Sequence, residues 1–588
     1  MRPPLQLSRR LPFGIIAPVI ESFIGLKTLN KLYQQYDIDE EQRSSSRNIL
    51  NLLNITYTVK TGSYEQIPAE GPLIIVANHP FGGVEGLILI DMILKVRKDV
   101  KILANQLLKL IKGLDEFFIG VDILKKNTYH KKNWQAFNQA STWVQNGGVL
   151  ILFPSGEVAS WQWSYKKVME APWQKTIARL IQSTKATVLP VFFEGNNSPV
   201  FHLLGLIHER IRTLWLAREL INKRGRKIFL HIGKTVNMPE LAMANRKGTI
   251  VNYLCLHTLL LGYKNQQITE QYRHFNNTHT KKTVNRLAEK TTIYQEINRL
   301  DRAFLLFEKN QFQAWCAPAD KIPVTLNEIG CLREITFRAA GEGSGKAIDI
   351  DEFDQYYQHL FLWNQKKQEV VGAYRIGHTD QILKEKGIAA IYSHTLFDYT
   401  KLFIDSLNHP ALEMGRSFIR QEYHQNPSAL FFLWRGICAY LVKNPRYKVL
   451  FGPVSISSSY NELSRQLIVE FLMANHYDHK LAAHVNPVTP YKPDHKVPWT
   501  KQQLTDIYQT DLLSSLVRII EKDKGIPILV KHYLKLKGKF AGFNIDKDFN
   551  NTLDGLIVVD LSTTDHRILG KYMGAKNVTT YFEDVQSS

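Results

Sequence analysis

The sequence predicts an α/β protein made of two domains. Its 588 residues exceed the roughly 250 to 300 at which a single core stops growing, so the chain is expected to divide. In both halves, short apolar runs rich in β-branched residues alternate with amphipathic segments. A polar stretch without a sustained apolar face separates the halves. We therefore predict an N-terminal segment at 1–48, domains at 49–265 and 296–588, and a linker at 266–295.

The first domain is predicted to contain a largely parallel sheet. Its strands are expected at 73–77, 100–103, 148–153, 186–193 and 227–232. Amphipathic stretches between them predict helices at 85–95, 132–145 and 173–182. Strands that alternate with helices are typical of parallel sheets, because each crossover returns the chain to the same end.

The second domain is predicted to be another α/β unit. Its order is a helix over 332–338, an acidic loop at 349–354, and strands at 369–376, 387–393, 411–418, 448–454 and 556–561.

The N-terminal segment is predicted to lie on a membrane surface. Arg9 and Arg10 precede an apolar stretch at 11–26 that Pro12 and Pro18 interrupt, and it is shorter than the roughly 20 apolar residues of a membrane span. Apolar residues recur there at helical spacing, which favours an interfacial amphipathic helix. A helix that covers the domain core fits the same spacing.

The composition is ordinary for a globular protein and strongly basic. Hydrophobic residues make up 44% and charged residues 22%, which excludes disordered, collagenous and multi-span membrane classes. The net charge is +20, and residues 1–250 carry 33 Lys/Arg against 19 Asp/Glu, or +14 of it. An acidic partner is implied, and charge alone fits nucleic acid or an anionic membrane. Four scattered cysteines favour a reducing cytoplasm. The sequence has no cluster of metal-ligating residues, so no bound metal is predicted.

The first motif is Ala77-Asn78-His79-Pro80-Phe81-Gly82-Gly83-Val84-Glu85, which follows a buried strand and begins a helix. This places His79 at a strand's carboxyl end, where α/β sheets bind ligands. A loop that bends at the two glycines could let Glu85 hold one ring nitrogen while the other accepts a hydroxyl proton. A histidine that only caps the helix fits the same pattern.

Together with later segments, this motif resembles the glycerolipid acyltransferases, the family of 1-acylglycerol-3-phosphate acyltransferases. The other segments are Phe118-Ile119-Gly120-Val121-Asp122, the run from Phe153 to Ser160, and the run from Val188 to Gly195. The resemblance implies His79 as general base and Glu85 as the orienting acid. It also implies substrate contacts from Asn78, Gly82, Gly83, Phe153, Pro154, Ser155, Gly156, Glu157 and Glu194.

The sequence departs from this family in two places. Five residues separate His79 from a glutamate, where the family has four residues before an aspartate. The family's phosphate-contacting arginine is also missing, because Val158 and Ala159 occupy its place. A guanidinium matches phosphate through its forked donors, so its loss favours an acceptor lipid without glycerol phosphate.

The C-terminal half resembles the GNAT-like acyltransferases that make lyso-ornithine lipid. The motifs are Leu412-Glu413-Met414-Gly415-Arg416-Ser417, Leu433-Trp434-Arg435-Gly436 and Leu450-Phe451-Gly452-Pro453. The resemblance implies transfer of a 3-hydroxyacyl group from acyl carrier protein to an α-amine. No GNAT pyrophosphate loop follows the Glu413 strand, which favours acyl carrier protein over acyl-coenzyme A as donor and predicts no bound cofactor.

An amine nucleophile must lose a proton before it attacks a thioester, so Glu413 is a candidate base. Arg375, Arg416 or Arg435 could bind the amino acid's carboxylate or the acidic carrier. Glu413 and Arg416 could equally form a structural ion pair, and Trp434 could be a core residue rather than a substrate wall. Tyr460 is a candidate proton donor.

The two resemblances together indicate a bifunctional aminolipid synthase whose second domain acts first. We expect it at the cytoplasmic face of a bacterial inner membrane, bound peripherally. Its expected partners are acyl carrier protein, anionic lipids, an amino acid and a lyso-aminolipid, and not nucleic acid. A lysophospholipid acyltransferase and a non-enzymatic haemolysin-like membrane protein are the alternatives.

Overall fold

The computed structural model describes residues 21–34, 45–105, 113–121, 131–244, 246–263, 282–285, 287–493, 497–522 and 524–583. The chain forms two units: residues 1–266 with 497–523, and residues 267–496 with 524–588. Most of the predicted linker, most of the predicted N-terminal helix, and Asp122 of the first motif set lie outside the described residues.

Unit 1 is built on a seven-stranded sheet. The strands of this unit are β1 (Thr56–Thr61), β2 (Leu73–Ala77), β3 (Val100–Asn105), β4 (Phe118–Val121), β5 (Val149–Leu152), β6 (Ser160–Gln162), β7 (Lys167–Met169), β8 (Thr187–Phe193) and β9 (Lys227–Ile232). The sheet order is β1-β9-β8-β2-β5-β3-β4, and β6 with β7 forms a separate hairpin. Every neighbouring pair in the large sheet is parallel except β8 and β9. The predicted parallel-rich α/β architecture is confirmed.

Helices surround this sheet. They are α1 (Leu26–Gln34), α2 (Ser45–Leu52), α3 (Val84–Leu94), α4 (Lys131–Gln145), α5 (Lys175–Thr184), α6 (Pro199–Ile207), α7 (Glu209–Asn222), α8 (Met238–Ala242) and α9 (Lys247–Leu260). The central strands β2 and β5 are buried along their whole length because every residue in them is apolar.

One edge of the sheet collects the sequence motifs. Strands β2, β5 and β8 run parallel, so their carboxyl ends lie at the same edge. The loops that follow Ala77, Leu152 and Phe193 therefore meet there, and each begins a motif singled out in the sequence.

Unit 2 is built on an eight-stranded sheet. Its strands are β10 (Leu305–Lys309), β11 (Phe312–Pro318), β12 (Gln358–Asn364), β13 (Glu369–His378), β14 (Phe397–Tyr399), β15 (Ala411–Ile419), β16 (Val449–Ile456), β17 (Val485–Pro487), β18 (Lys539–Asp546) and β19 (Thr552–Asp560). The order is β10-β11-β12-β13-β15-β16-β19-β18, and β14 pairs separately with β17. In the large sheet only β15 and β16 pair in parallel.

The helices of the C-terminal half are α10 (Lys290–Arg299), α11 (Pro323–Ala339), α12 (Thr379–Lys386), α13 (Lys401–Asp405), α14 (Pro427–Lys443), α15 (Glu462–Asn475), α16 (His479–Ala482), α17 (Lys501–Asp506), α18 (Thr510–Glu521), α19 (Ile528–Lys535), α20 (His566–Met573) and α21 (Ala575–Glu583). Of these, α17 and α18 belong to unit 1. Asn252 on α9 donates to the Asp506 carboxylate at 2.7 Å, and Thr249 donates to the Asp506 carbonyl at 2.8 Å.

One predicted strand is wrong. Residues 387–393 form short 3-10 turns, Ile388–Ala390 and Tyr392–Thr395, instead of a strand. The reason is that the backbone N–H groups of Tyr392 and Ser393 donate to the Glu413 carboxylate, at 3.1 and 2.6 Å, rather than to a neighbouring strand. The apolar Ile391 contributed to the strand prediction, and its side chain is buried although the segment is not a strand.

Across the described ranges, none of the helices combines the length and the apolar composition needed to cross a bilayer.

Candidate active sites

The loop between β2 and α3 brings His79 and Glu85 together. Gly82 has a φ of +105°, which favours glycine, and a Cβ at this position would come within 2.6 Å of the Leu216 side chain. The sharp bend returns the first turn of α3 toward His79. The Oε1 atom of Glu85 lies 3.2 Å from Nδ1 of His79.

Glu85 is held rigidly. It is completely buried, and its carboxylate accepts hydrogen bonds from the backbone N–H groups of Phe81, Gly82 and Gly83 at 2.6 to 3.1 Å. Burial alone would raise the pKa of Glu85, but attraction to His79 and the backbone donors outweigh it and lower the pKa. Glu85 is therefore an ionised partner for His79, as its predicted orienting role requires.

His79 is fixed on its other sides as well. Its ring stacks on Phe153 with centroids 4.2 Å apart, and its carbonyl accepts a hydrogen bond from Ala159 at 2.9 Å. The predicted substrate-contact residue Phe153 is thus a wall for the imidazole. Because Nδ1 lies beside the Glu85 carboxylate, Nε2 is the ring nitrogen left to meet a substrate.

A second carboxylate, Glu170, was missed by the sequence analysis. It accepts the backbone N–H of His79 at 2.5 Å and the indole N–H of Trp173 at 2.8 Å. Burial raises the pKa of Glu170 to about 7, although these hydrogen bonds oppose the shift. The only signal in the sequence was a lone carboxylate among apolar neighbours in Val168-Met169-Glu170-Ala171-Pro172.

Several predicted substrate residues instead shape the loops. The Asn78 side chain exchanges two hydrogen bonds with the backbone of Phe193, joining the ends of β2 and β8. Ser155 donates to the Glu157 carbonyl at 2.8 Å. Gly156, with a φ of +72°, and Pro154, whose carbonyl accepts from Gln174, form the turn between β5 and β6.

Glu194 is held on the β1 and β9 side of the sheet. Its carboxylate contacts the Lys60 ammonium at 2.7 Å and Nε2 of His231 at 2.7 Å. Burial opposes ionisation, but the hydrogen bonds from Lys60 and His231 outweigh it and lower the pKa of Glu194. These contacts occupy the carboxylate without bringing it to His79.

In unit 2 the candidate site begins where β15 and β16 separate. Their parallel pairing runs from Ala411 with Val449 to Glu413 with Phe451 and then stops. Gly452 has a φ of +153°, and a Cβ there would lie 2.2 Å from the Met414 carbonyl oxygen. A small cavity opens beside this point, lined by Met414, Gly452, Pro453 and Tyr533 among others.

Glu413 lies buried on β15, and its carboxylate accepts three hydrogen bonds. The hydroxyl of Tyr357 and the N–H groups of Tyr392 and Ser393 all donate to it. These contacts fix the 3-10 turn at Tyr392–Thr395. In this arrangement Glu413 holds the local structure and has little capacity left to accept a proton from a substrate.

The guanidiniums of Arg375 and Arg416 both lie over the Tyr392 ring, at 4.8 and 4.9 Å from its centroid. Both belong to one buried network with the acidic loop: Arg375 contacts Asp351 at 2.5 Å, and Arg416 contacts Asp349 at 3.3 Å. Burial opposes the charged form of both guanidiniums. Attraction to Asp354 and Asp351 outweighs it at Arg375, attraction to Asp349 does so at Arg416, and the pKa of both is raised.

Two further acids, Asp554 and Glu342, were also missed by the sequence analysis. Asp554 is buried on β19 and accepts a hydrogen bond from Ser455 at 2.7 Å. Burial raises the pKa of Asp554 to about 7 and that of Glu342 to about 8. The positive charge of Arg416 opposes both shifts but is outweighed by burial. Their distance from Glu413 in the sequence left no pattern by which to find them.

Comparison with known proteins identifies both halves. Residues 34–266 match the family described as Acyltransferase, and residues 332–435 match the family described as Acetyltransferase (GNAT) domain. A glycine N(alpha)-acyltransferase of Bacteroides thetaiotaomicron is 31% identical over 287 residues, which cover 46% of this chain and 83% of that protein. The chain belongs to the same acyltransferase family as this relative.

Two other relatives of this chain are also named as acyltransferases. A lyso-glycine lipid O-acyltransferase of Phocaeicola vulgatus is 30% identical over 185 residues, covering 30% of this chain and 64% of that protein. An L-ornithine N(alpha)-acyltransferase of Agrobacterium fabrum is 26% identical over 253 residues, covering 41% of this chain and 78% of that protein. The resemblances stated from the motifs are confirmed at the level of the two families.

The remaining predicted residues of the acyltransferase lie at separate places in unit 2. Trp434 is buried and packs on His532 and Tyr533, with ring centroids 4.3 and 5.5 Å away. Arg435 lies over Phe307 on the edge strand β10, four strands from β15 in the sheet order. Tyr460 donates its hydroxyl to the Gly525 carbonyl at 2.8 Å.

Proposed function

We propose that this acyltransferase builds an aminolipid in two steps. Its GNAT unit would attach a 3-hydroxyacyl group to the α-amine of an amino acid, and unit 1 would acylate the resulting 3-hydroxyl. Support comes from the pairing of the two domain families in one chain and from relatives named for both an N-acyl and an O-acyl transfer. The observation that carries the O-acyl step is the 3.2 Å contact between His79 and a buried, backbone-bound Glu85.

In the O-acyl step, Nε2 of His79 would accept the proton of the acceptor hydroxyl while its oxygen attacks the thioester carbonyl. The tetrahedral intermediate then expels the thiolate. The thiolate takes from the imidazolium the proton that came from the acceptor hydroxyl. Glu85 stabilises the imidazolium charge through Nδ1 and fixes the ring orientation. The proton and acyl group balance without any further reactant.

In the N-acyl step, the attacking amine must release protons. Asp554 fits this role better than Glu413, because its pKa of about 7 is matched to neutral pH and Glu413 already accepts three hydrogen bonds. Both lie on the same sheet face, because residues two apart on a strand share a face. Asp554 is two residues before Leu556 and Glu413 is two residues after Ala411, and Leu556 and Ala411 pack in the same apolar cluster. Arg416 would bind the amino acid's carboxylate.

The proposed acyl donor is acyl carrier protein, with acyl-coenzyme A as the alternative. The chain's net charge of +20 suits an acidic carrier. Donor choice is tested by supplying one acyl group on either carrier to the purified protein and comparing kcat/KM. A preference for coenzyme A would overturn the carrier assignment.

We also propose a peripheral position on the cytoplasmic face of a bacterial inner membrane. Helices α6 and α7 expose several large apolar side chains: Leu203, Leu206, Ile207, Ile211 and Leu214. Exposed basic residues follow on the same segment: Arg218, Arg224, Arg226 and Lys227. Apolar side chains beside positive charge are the combination that binds anionic membrane surfaces.

The two-step proposal is tested by expressing the chain in a bacterium that lacks aminolipids and analysing total lipid by mass spectrometry. We expect a new diacylated aminolipid. His79→Ala should accumulate the monoacyl lyso form, and Asp554→Asn should give neither product. Changed phospholipid chains without any aminolipid would support a lysophospholipid acyltransferase and contradict the proposal.

A further inference from the structure

The motif loop after β5 lacks the arginine expected there, but the fold supplies another. Val158 and Ala159 stand at the expected position and are buried. From α7, Arg212 reaches the same loop, with its Nη2 atom 2.9 Å from Oε2 of Glu157. A guanidinium thus lies where the sequence alone shows none.

Helix α7 lies directly against the catalytic loop. Leu216, one turn beyond Arg212, packs on Gly82, where an added Cβ would be 2.6 Å from its Cδ2 atom. The same added Cβ would lie 3.1 Å from the Val158 side chain. Because α7 follows the carboxyl end of β8, Arg212 lies at the edge of the sheet that also carries His79.

The Arg212 side chain is held in place along its stem, and in the described part of the chain its guanidinium makes one ion pair. Its stem lies over Gly205, where an added Cβ would come within 2.8 Å of Cδ, and only 12% of the side chain is exposed. Among the described residues, the ion pair with Glu157 engages one of the five N–H donors of the guanidinium. Since Glu157 is 42% exposed, this pair adds little to stability and is readily rearranged by a substrate.

We propose that Arg212 binds the carboxylate of the acceptor, a lyso-lipid with an N-acylated amino acid head group. This inference rests on the proposed O-acyl step. A carboxylate and a guanidinium pair through two parallel hydrogen bonds, so Arg212 would fix the head group while the exposed apolar side chains of α6 and α7 contact the acyl chain. A lyso-phospholipid would offer a phosphate to the same donors, and the experiment below separates the two.

The test uses the full-length protein in detergent with three acceptors: an N-(3-hydroxyacyl) amino acid, its methyl ester, and lysophosphatidate. We expect the wild-type protein to prefer the free acid. Arg212→Gln should raise KM for the free acid by about tenfold or more, with kcat changed little, because a charge-assisted contact is lost. Activity toward the methyl ester should be unchanged, and Arg212→Lys should recover part of the free-acid activity.

Arg179→Gln is the matched control, because Arg179 is an exposed arginine on α5 of the same unit and lies outside the proposed membrane surface. It should leave all three acceptors unaffected. Equal losses with the acid and the ester in Arg212→Gln would show a merely structural role and overturn the proposal. Preference for lysophosphatidate, lost in Arg212→Gln, would assign the residue to phosphate and also overturn it. If the wild-type protein acylates none of the three acceptors, the proposed function itself is overturned.

Discussion

The carboxylate of Glu85 approaches Nδ1 of His79 to 3.2 Å while accepting hydrogen bonds from three consecutive backbone N–H groups. One side chain therefore both builds the loop and orients the imidazole. The extra residue between His79 and Glu85, relative to the resembled family, is accommodated by the bend at Gly82.

Glu85→Gln should reduce O-acyl transfer by about 10²- to 10⁴-fold, because the imidazolium formed in the transition state loses its charged partner. The amide also places an N–H₂ against backbone N–H donors, so a lower melting temperature is expected. Activity is measured as acylation of the lyso-lipid with single-turnover kinetics.

The exposed Glu65→Gln serves as the control and should change neither activity nor melting. A Glu85→Gln protein that folds and keeps full activity would show that His79 needs no orienting acid.

Glu170 should make the stability of unit 1 depend on pH. Its pKa is about 7 in the folded chain, raised by burial from the model-peptide value of 4.5. Folding therefore favours its protonated form, and that stabilisation is complete below pH 4.5 and lost as the pH rises to about 7. We expect a loss on the order of 1–3 kcal/mol over this interval.

Urea unfolding at several pH values measures this dependence. Glu170→Gln cannot ionise and should flatten the decline between pH 4.5 and 7, relative to the wild-type protein. An unchanged decline in the variant would assign the dependence to other groups.

Local patterns predicted much of the fold because many strands are continuous apolar runs. The predicted ranges 73–77 and 227–232 coincide with β2 and β9. The run at 387–393 misled because a buried carboxylate, Glu413, captures the backbone N–H groups that a strand would have used. Apolar periodicity does not reveal where a distant acid will lie.

The candidate sites were only partly predictable for the same reason. His79 and Glu85 are close in the sequence, so their contact could be inferred from one loop. Glu170 is 91 residues from His79, and Arg212 is 55 residues from Glu157. Such contacts depend on tertiary packing, which neither composition nor spacing encodes in a readable form.

Asp554 and Glu413 should have different effects on N-acyl transfer. Asp554→Asn should lower kcat/KM by about 10²- to 10⁴-fold and remove the limb of the pH profile near 7, because the proton acceptor is lost. Glu413→Gln should chiefly lower stability, by about 1–3 kcal/mol, because its amide group faces backbone donors.

Kinetics with a saturating acyl donor and thermal melting of both variants distinguish these roles. If Glu413→Gln melts normally and is inactive while Asp554→Asn retains the limb, then Glu413 is the base and our assignment is wrong.

The exposed apolar side chains of α6 and α7 should bind membranes directly. A double variant, Leu203→Ser with Ile207→Ser, replaces side chains that are 60% and 73% exposed. Each would bury apolar area in the lipid interface, so we expect liposome binding to weaken about tenfold or more.

The control pair, Leu402→Ser with Ile528→Ser, removes side chains of similar exposure from unit 2 and should bind as the wild-type protein does. Flotation with anionic and neutral vesicles at low and high salt gives the readout. Binding to anionic vesicles should fall with salt because arginine and lysine contribute. If both pairs bind equally well, the surface of α6 and α7 is not the one that meets the lipid.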